Sequence, residues 1–243
     1  MRTIIIGDVH GCGWELAALL DRLGPTADDE LLLVGDLVVR GPEPRRVLQL
    51  VREAGARAVR GNHEDRLLRW QAARQAQAEG GEQALEPSEA RLLRAKWLTR
   101  TADQLEDEDW ALIRDLPLWL DARGGQLRVV HGGLLPGVPM EEQAERTLLY
   151  LRTVDPLGRP SDLRDGGLPW GARYQGPPHV VFGHNADPEP QLHPWATGID
   201  TGCVYGGCLT ALVLPLGEPI PEPDGRGAAL VQVAARRAHY PID

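Results

Sequence analysis

The segment LLLVGDLVVRGP, which spans Leu31–Pro42, joins a buried strand to a charged turn. Its apolar run Leu31–Val34 predicts a short strand, and Gly35 permits a tight turn directly after it. Asp36 follows at the carboxyl end of that strand, and Arg40 comes four residues later. Charged groups are seldom placed beside a core for packing alone, so this turn indicates a site that acts on a charged ligand.

The residues around this segment alternate between strand and helix patterns. Arg2–Gly7 and Ala56–Gly61 predict further strands on either side of it. Leucine and valine recur at helical spacing in Trp14–Gly24 and Pro44–Gly55, and each stretch ends in glycine, which predicts two helices between the strands. Strands that alternate with helices form a parallel sheet covered on its faces. We therefore expect an α/β fold.

A change in composition marks an insertion between about Asp65 and Asp121. Arg, Gln, Ala, Glu and Leu dominate there, and the stretch holds four of the seven tryptophans. We expect a helical cap, with a turn at Glu79–Pro87, inside a single domain that spans residues 1–243. The cap tryptophans either stack on a base or pack in the core, and their helical spacing favours the core.

Strand patterns return after the insertion. Between them, Asp155–Pro178 is dense in glycine and proline, which predicts an irregular loop. The later strand-like stretches read QLRVVHGG, HVVFGH, TGIDTG, CLTALVLP and GAALVQVAA.

The bulk composition excludes several classes of protein. With 243 residues, of which 42% are hydrophobic, the chain can bury one sizeable core. A net charge of −9 argues against binding nucleic acid or anionic membrane through bulk electrostatics. Cys12, Cys203 and Cys208 form no CxxC pair, so we expect no disulfide framework. The sequence shows no signal peptide or membrane span, and we expect a cytoplasmic protein that does not associate with membranes.

Each of five predicted strands ends in a side chain that can bind a metal ion, with glycine beside it. Singly, each motif is typical of an ordinary turn, but together they contain four of the seven histidines. Open α/β sheets gather ligands at the carboxyl ends of their strands, so these side chains should converge on one place. They are Asp8 and His10 in GDVHG, Asp36 in GDLVVRG, Asn62 in GNHED, His131 in HGG and His184 in GHN.

The types of side chain indicate the metal chemistry. Two carboxylates, one amide and three imidazoles form a mixed oxygen and nitrogen set without a thiolate, which disfavours structural zinc and leaves Mn²⁺, Fe²⁺ and catalytic Zn²⁺. Six side chains are too many for one ion that must keep open positions, whereas two ions that share a bridging carboxylate use them all. We expect a two-metal site in which a bridging hydroxide attacks phosphorus.

The motifs GDVHG, GDLVVRG, GNHE, HGG and GHN, in this order, resemble the signature of the calcineurin-like metallophosphoesterases, and in particular the phosphoprotein-phosphatase group. The resemblance covers roughly residues 2–214. It implies a four-layer α/β/β/α sandwich that carries the cap as an insertion. It also implies two divalent ions, with Mn²⁺ as the first choice and Fe²⁺, Zn²⁺, Co²⁺ and Mg²⁺ as alternatives. The sequence leaves the native metal and the oligomeric state open.

The same resemblance assigns a role to each ligand. Asp36 would bridge the two ions. The first ion would also be held by Asp8 and His10, and the second by Asn62, His131 and His184.

Three further residues would act on the substrate. Arg40 would bind the phosphoryl oxygens through its planar fork of donors, and His63 would protonate the leaving oxygen. The family has a second phosphate-binding arginine, for which Arg152 is our first choice and Arg173 our second.

One position departs from the protein phosphatases of this group, whose motif reads GDxVDRG. Val39 stands where those enzymes have the Asp that supports the catalytic histidine. A phosphoserine ester expels a basic alkoxide, whereas a phosphoanhydride expels a phosphate whose pKa is about 6. General-acid assistance, commonly worth about 10²–10⁴-fold, therefore matters little for an anhydride. Val39 thus favours an anhydride substrate, unless Asp65 or Glu64 replaces the missing Asp.

These features predict the reaction. Symmetrical diadenosine tetraphosphatases resemble this sequence and also lack that Asp, so we expect a metal-dependent enzyme that splits diadenosine tetraphosphate into two ADP. One alternative is a Ser/Thr or Tyr protein phosphatase, against which Val39 argues. Another is an enzyme that removes nucleoside-tetraphosphate caps from RNA 5′ ends. A non-catalytic metal-binding scaffold is disfavoured because the ligand set and Arg40 are complete.

Overall fold

The structure is a computed structural model that describes residues 1–79 and 87–241, so most of the turn expected at Glu79–Pro87 lies outside the described residues. The strands are β1 (Arg2–Ile6), β2 (Glu30–Leu33), β3 (Arg57–Ala58), β4 (Trp119–Ala122), β5 (Leu127–Val130), β6 (Thr153–Val154), β7 (Pro160–Ser161), β8 (Leu168–Pro169), β9 (His179–Phe182), β10 (Gln191–Leu192), β11 (Ala196–Gly198), β12 (Cys208–Pro215) and β13 (Leu230–Ala234). The α-helices are α1 (Gly13–Leu23), α2 (Pro44–Glu53), α3 (Asn62–Ala78), α4 (Pro87–Leu93), α5 (Lys96–Ala102), α6 (Asp107–Asp115), α7 (Glu145–Tyr150), α8 (Trp170–Arg173) and α9 (Pro223–Arg226).

Two five-stranded mixed sheets form the centre of the molecule. The first has the order β13-β12-β1-β2-β3, and the second has the order β10-β11-β9-β5-β4. In the first sheet β1, β2 and β3 are parallel, with Ile4 opposite Leu31 and Ile6 opposite Leu33. In the second sheet β9 is parallel to both β5 and β11. The parallel strands of each sheet therefore present their carboxyl ends at one edge.

The two sheets pack face to face because alternate residues of each strand point to opposite sides. Ile5 of β1 is fully buried between the sheets, whereas Ile4 and Ile6 pack against helices on the outer face. Replacing such a residue with alanine typically costs about 2–5 kcal/mol. The core between the sheets contains Ile5, Leu32, Val34, Val59, Leu127, Val129, Val181, Ile199, Leu212 and Leu214.

Helices cover the outer face of each sheet. Leu16 of α1 and Val47 of α2 pack on the first sheet, and Leu148 of α7 and Trp170 of α8 pack on the second. This arrangement is the α/β/β/α sandwich expected from the sequence. Among the described helices, not one combines the length and the apolar character needed to cross a bilayer.

The insertion differs in its bounds from the sequence expectation. It consists of α3, α4, α5 and α6, and α3 begins at Asn62 rather than after it, so the first helix of the insertion carries a predicted metal ligand. At the other end, Trp119 and Asp121 belong to β4, an edge strand in which buried and exposed residues alternate. The composition of 119–121 resembles that of the cap, and only pairing with β5 reveals the strand.

Two other expectations are corrected or refined. The loop predicted at Asp155–Pro178 instead contains β7, β8 and α8, because its short segments pair with β6 in a three-stranded sheet. Of the cap tryptophans, Trp70 and Trp110 are buried in the core, whereas Trp97 is half-buried and its ring meets the His63 ring edge-on at 5.5 Å.

Candidate active site

The predicted metal ligands meet in one buried place at the carboxyl ends of the parallel strands. β1 leads to Asp8 and His10, β2 to Asp36, and β3 to Asn62, while β5 and β9 of the second sheet lead to His131 and His184. All six side chains are at most 8% exposed. Parallel strands from both sheets therefore deliver ligands to one pocket.

The ligand atoms lie as close together as atoms that share a cation. Oδ2 of Asp36 is 3.4 Å from Nε2 of His10 and 3.4 Å from Nε2 of His131. Oδ1 of Asn62 is 2.9 Å from Nε2 of His131 and 3.0 Å from Nδ1 of His184. Ligands about 2.1 Å from one ion are separated by roughly 3.0–3.4 Å. The separations thus fit metal coordination.

Asp36 lies between two triads of possible ligands. One triad is His10, Asp36 and His63, and the other is Asp36, His131 and His184. This is the position that a bridging carboxylate requires. Asp8 belongs to neither triad, and its carboxylate oxygens accept the backbone N–H of His184 at 3.1 and 3.3 Å.

Electrostatics and unpaired atoms also fit bound cations. Burial, with the charges of Asp200 and Asp36, raises the pKa of Asp8 well above its ordinary value. Burial alone would raise the pKa of Asp36 as well, but the nearby imidazoles, led by His131, hold it well below the ordinary value. Nε2 of His184 and Nδ1 of His10 are buried, and within the described part of the chain neither has a hydrogen-bond partner. Divalent ions would neutralise these crowded carboxylates and give such nitrogens a partner.

Local backbone geometry explains the glycines of the motifs. A side chain on Gly61 would collide with Asp36, and one on Gly183 would collide with the Asp8 carboxylate. Several site residues also adopt the left-handed backbone region that L-residues avoid, which is common where function imposes strain. They are His10 (φ 50°), Asp36 (φ 48°), Val39 (φ 76°), Arg40 (φ 69°) and His184 (φ 67°).

The family described as calcineurin-like phosphoesterases matches residues 1–210 of the sequence. The chain belongs to this family. It is similar to the bis(5′-nucleosyl)-tetraphosphatase PrpE [asymmetrical] of Geobacillus thermodenitrificans, with 32% identity over 88% of this chain and 91% of the relative. The protein of the same name from Bacillus subtilis is 31% identical over 90% of this chain and 93% of its own. A crystal structure described as that of a diadenosine tetraphosphatase superimposes with a TM-score of 0.76 at 30% identity, covering 96% and 93% of the two chains.

The residues that line the phosphoesterase site form a cavity of about 320 Å³, which we call the catalytic pocket. Predicted metal ligands from four of the five motifs line it, together with His63 and the two predicted phosphate-binding arginines, Arg40 and Arg152. Its lining residues are His10, Asp36, Arg40, Asn62, His63, Arg66, Tyr150, Arg152, Asp162, Leu163, Arg164, His184, Ala186, Asp200 and Tyr205.

Arg40 is held between two tyrosines that the sequence did not reveal as site residues. Its guanidinium lies 5.4 Å from the centre of the Tyr205 ring and 5.3 Å from that of the Tyr240 ring. It also donates a hydrogen bond to the Tyr205 hydroxyl. Cation–π contacts of this kind fix the plane of a guanidinium. The two tyrosines therefore position Arg40 over the metal ligands.

The two candidates for the second arginine are separated by their positions. Nη1 of Arg152 donates to the carbonyl oxygen of His184 at 3.0 Å and to Oδ1 of Asn185 at 2.8 Å, which points it into the catalytic pocket. Arg173 is the last residue of α8, is exposed, and does not line the catalytic pocket. The structure does not bring Arg173 to the site, because the short helix turns its side chain towards solvent.

Two buried carboxylates, Glu64 and Asp200, lie near the ligands. The sequence indicated Glu64 only as a possible replacement for the missing Asp, and it did not single out Asp200. Glu64 accepts the backbone N–H groups of Asp36, Leu37, Val38 and Gly61 at 2.8–3.1 Å. It thereby fixes the turn that carries Asp36, and burial together with Asp36 raises its pKa to about 7.

Asp200 follows β11 and lines the catalytic pocket. Burial raises its pKa to about 6. The sequence offered the same signal here as at the other strand ends, a glycine and then an acid in Gly198–Asp200.

Proposed function

We propose that this chain is a metal-dependent hydrolase of dinucleoside polyphosphates that splits diadenosine tetraphosphate asymmetrically, into ATP and AMP. The symmetrical cleavage expected from the sequence does not agree with the relatives, which are named as asymmetrical tetraphosphatases. These relatives match over about nine-tenths of both chains, which supports the transfer of the substrate class. We therefore replace two ADP with ATP and AMP as the expected products.

The observation that supports an anhydride substrate is the environment of the His63 ring. Its Nδ1 is buried and has no hydrogen-bond partner among the described residues, and burial lowers the pKa of the ring well below its ordinary value, with Asp36 opposing the shift. The Glu64 carboxylate is fully engaged by backbone N–H groups. Asp65 faces Arg69, at 4.0 Å. A histidine without a supporting carboxylate is a poor general acid, which suits a phosphate leaving group that needs no proton.

Each residue of the site has a part in this reaction. Bound to the six ligands, two divalent ions would supply the activated water and neutralise charge on the phosphoryl group. Arg40 and Arg152 would hold the non-bridging phosphoryl oxygens and stabilise the charge that builds there. Tyr205 and Tyr240 would keep Arg40 in place, and Glu64 would keep Asp36 in place.

The rival readings differ in the bond that is broken. A Ser/Thr or Tyr protein phosphatase must expel an alkoxide or phenoxide, for which His63 lacks support. Removal of nucleoside-tetraphosphate caps from RNA breaks the same kind of anhydride as the proposed reaction. The substrate, rather than the chemistry, distinguishes this last alternative.

The test is a comparison of substrates on one preparation. Metal-free enzyme is reloaded with Mn²⁺, Fe²⁺, Zn²⁺, Co²⁺ or Mg²⁺ and given diadenosine tetraphosphate, a phosphoserine peptide or a capped RNA, and the products are separated by ion exchange. We expect ATP and AMP in equal amounts, with a kcat/KM well above that for the other two substrates. Two ADP as products, or a preference for the peptide or the RNA, would refute the proposal.

A further inference from the structure

A second cavity adjoins the catalytic pocket at Arg40, His63 and Arg66, which line both. It has a volume of about 580 Å³ and lies between α3 and the α4–α5 part of the insertion. We call it the arginine groove. It is lined by Arg40, His63, Arg66, Arg69, Ser88, Arg91, Leu92, Ala95, Trp97 and Tyr240.

The arginine groove is cationic in a chain whose net charge is −9. Four of its lining residues are arginines, and none of the described residues that line it is acidic. His63, Arg66 and Arg69 recur at every third position of α3, so they share one face of the helix. The insertion thus places a row of cations that begins at the catalytic histidine and leads away from it.

The guanidinium groups of Arg69 and Arg91 belong to exposed residues of the groove and can reach a ligand. Arg66 lies over the Tyr150 ring at 5.5 Å, and Arg69 is no closer than 4.0 Å to Asp65. By contrast, the arginines on the far side of the catalytic pocket are engaged by the protein. Arg152 donates to two oxygens near His184, and Arg164 donates to the carbonyl oxygen of Ala186 at 2.8 Å.

The two cavities also differ in their negative charges. The catalytic pocket contains the carboxylates of Asp36, Asp162 and Asp200. Metal ions would offset the deep carboxylates, but Asp162 is on the rim and pairs with Arg146 at 2.5 Å. A chain of phosphates would meet fewer carboxylates in the arginine groove, whose described lining residues include none, than in the catalytic pocket.

We infer that the arginine groove holds the triphosphate half of the substrate, which leaves as ATP. Water then attacks the phosphorus of the other half, which becomes AMP. The inference rests on the proposed function and adds the direction in which the substrate binds. The new bond joins the water oxygen to the adenylyl phosphorus. The bond from that phosphorus to the bridging oxygen breaks, its electron pair stays on the terminal phosphate of ATP, and the water protons pass to solvent.

In-line geometry links the groove to the leaving group. The attacking and leaving oxygens lie on opposite sides of phosphorus, and the metal ligands define the side of attack. None of the six proposed ligands lines the groove, whereas His63 stands at its entrance. The leaving oxygen therefore faces His63, and the remaining phosphates continue past Arg66 towards Arg69 and Arg91. The longer, more charged product thus occupies the cavity with more cations.

The direction of binding can be read from the fate of the water oxygen. The wild-type metal-loaded enzyme hydrolyses diadenosine tetraphosphate to completion in water labelled with heavy oxygen, and the two products are weighed by mass spectrometry. The inference predicts label in AMP and none in ATP. Label in ATP would place the triphosphate half on the side of attack and overturn the inference, while the proposed function would stand. Two ADP as products would instead refute the proposed function.

Substitutions test the groove itself. Arg91→Ala should raise KM for diadenosine tetraphosphate by about tenfold, the typical value of one charge-assisted hydrogen bond. It should weaken inhibition by ATP to a similar extent, with a much smaller change for AMP and for an aryl phosphate substrate. Arg94→Ala is the matched control, since Arg94 is three residues away and lines a different surface cavity. Equal losses for ATP and AMP, or equal effects of the two variants, would refute the assignment.

Discussion

The catalytic pocket and the arginine groove share Arg40, His63 and Arg66 but are built from different parts of the fold. The pocket is formed by strand ends of two packed sheets, and its ligands are buried and mutually fixed. The groove is formed mainly by helices of the insertion, and two of its four arginines, Arg69 and Arg91, are exposed. We therefore expect the chemistry to depend on the sheets and the choice of substrate to depend on the insertion. Changes in the pocket should affect every substrate, and changes in the groove only long polyanions.

The largest effect should follow from losing the proposed bridge in the catalytic pocket. Asp36→Asn should lower kcat/KM by about 10³-fold or more for both diadenosine tetraphosphate and an aryl phosphate, because it removes charge that organises the site. Elemental analysis should show the loss of at least one metal ion per chain. Asp121→Asn, in an exposed pair with Arg128 on β4 and β5, is the control. A fully metallated and active Asp36→Asn enzyme would contradict the two-metal assignment.

A second large effect should follow from Arg40→Ala. Arg40 lines both cavities, but its contact with the transferred phosphoryl group predicts a loss of about 10²–10³-fold for short and long substrates alike. Thermal unfolding should change little, because the described contacts of the Arg40 guanidinium are with Tyr205 and Tyr240 and with Nε2 of His10 at 3.4 Å. A loss of kcat/KM confined to diadenosine tetraphosphate would mean that Arg40 binds the long substrate in the arginine groove and does not act on the transferred phosphoryl group.

A change of substrate preference should follow from Val39→Asp. Val39 has a φ of 76°, a strained region for a β-branched residue that Asp tolerates better. The new carboxylate should support His63 as a general acid and raise kcat/KM for a phosphoserine peptide by about tenfold or more. Hydrolysis of diadenosine tetraphosphate should stay level or fall, because a negative charge would lie near a polyanion.

The informative quantity for Val39→Asp is the ratio of the two kcat/KM values in one metal and at one pH. Metal analysis of the variant controls for displacement of a ligand. If the fully metallated variant gains nothing on the peptide, leaving-group basicity does not explain Val39.

The smallest effect concerns salt. Exposed arginines are screened by ions, since the Debye length falls from about 10 Å at 0.1 M to about 3 Å at 1 M. Raising the ionic strength over this range should increase KM for diadenosine tetraphosphate several-fold more than KM for an aryl phosphate. Arg91→Ala should reduce that difference. Equal salt dependence of the two substrates would remove the distinction between groove and pocket.

The sequence predicted the parts of the site that lie directly after strands. Asp8, Asp36 and His184 could be placed together because each follows an apolar run, and parallel strands end at one edge. These inferences need only local patterns and the rules of sheet packing.

The parts that the sequence did not predict depend on distant packing. Tyr205 and Tyr240 are 165 and 200 positions from Arg40, and nothing in their local sequence marks them as its partners. Arg152 and Arg173 look alike in sequence, and only the turn of α8 separates them. Arg66 did carry a signal, since it follows His63 by three residues on one helix. The role of Arg66 depends on the fold, because the helices of the insertion pack together so that Arg66 lines the arginine groove.

The hydrogen bonds of Glu64 bear on how metal ions would bind and exchange at the site. By holding four backbone N–H groups, it fixes the turn of Asp36 through the protein alone. An ion that binds at Asp36 would therefore meet a turn that is already ordered, and none of its binding free energy would be needed to order a loop. The same hydrogen bonds would keep this turn formed after the ion dissociates, so one divalent ion could replace another without unfolding the chain. We therefore expect metal-free enzyme to stay folded and to regain activity with more than one kind of divalent ion.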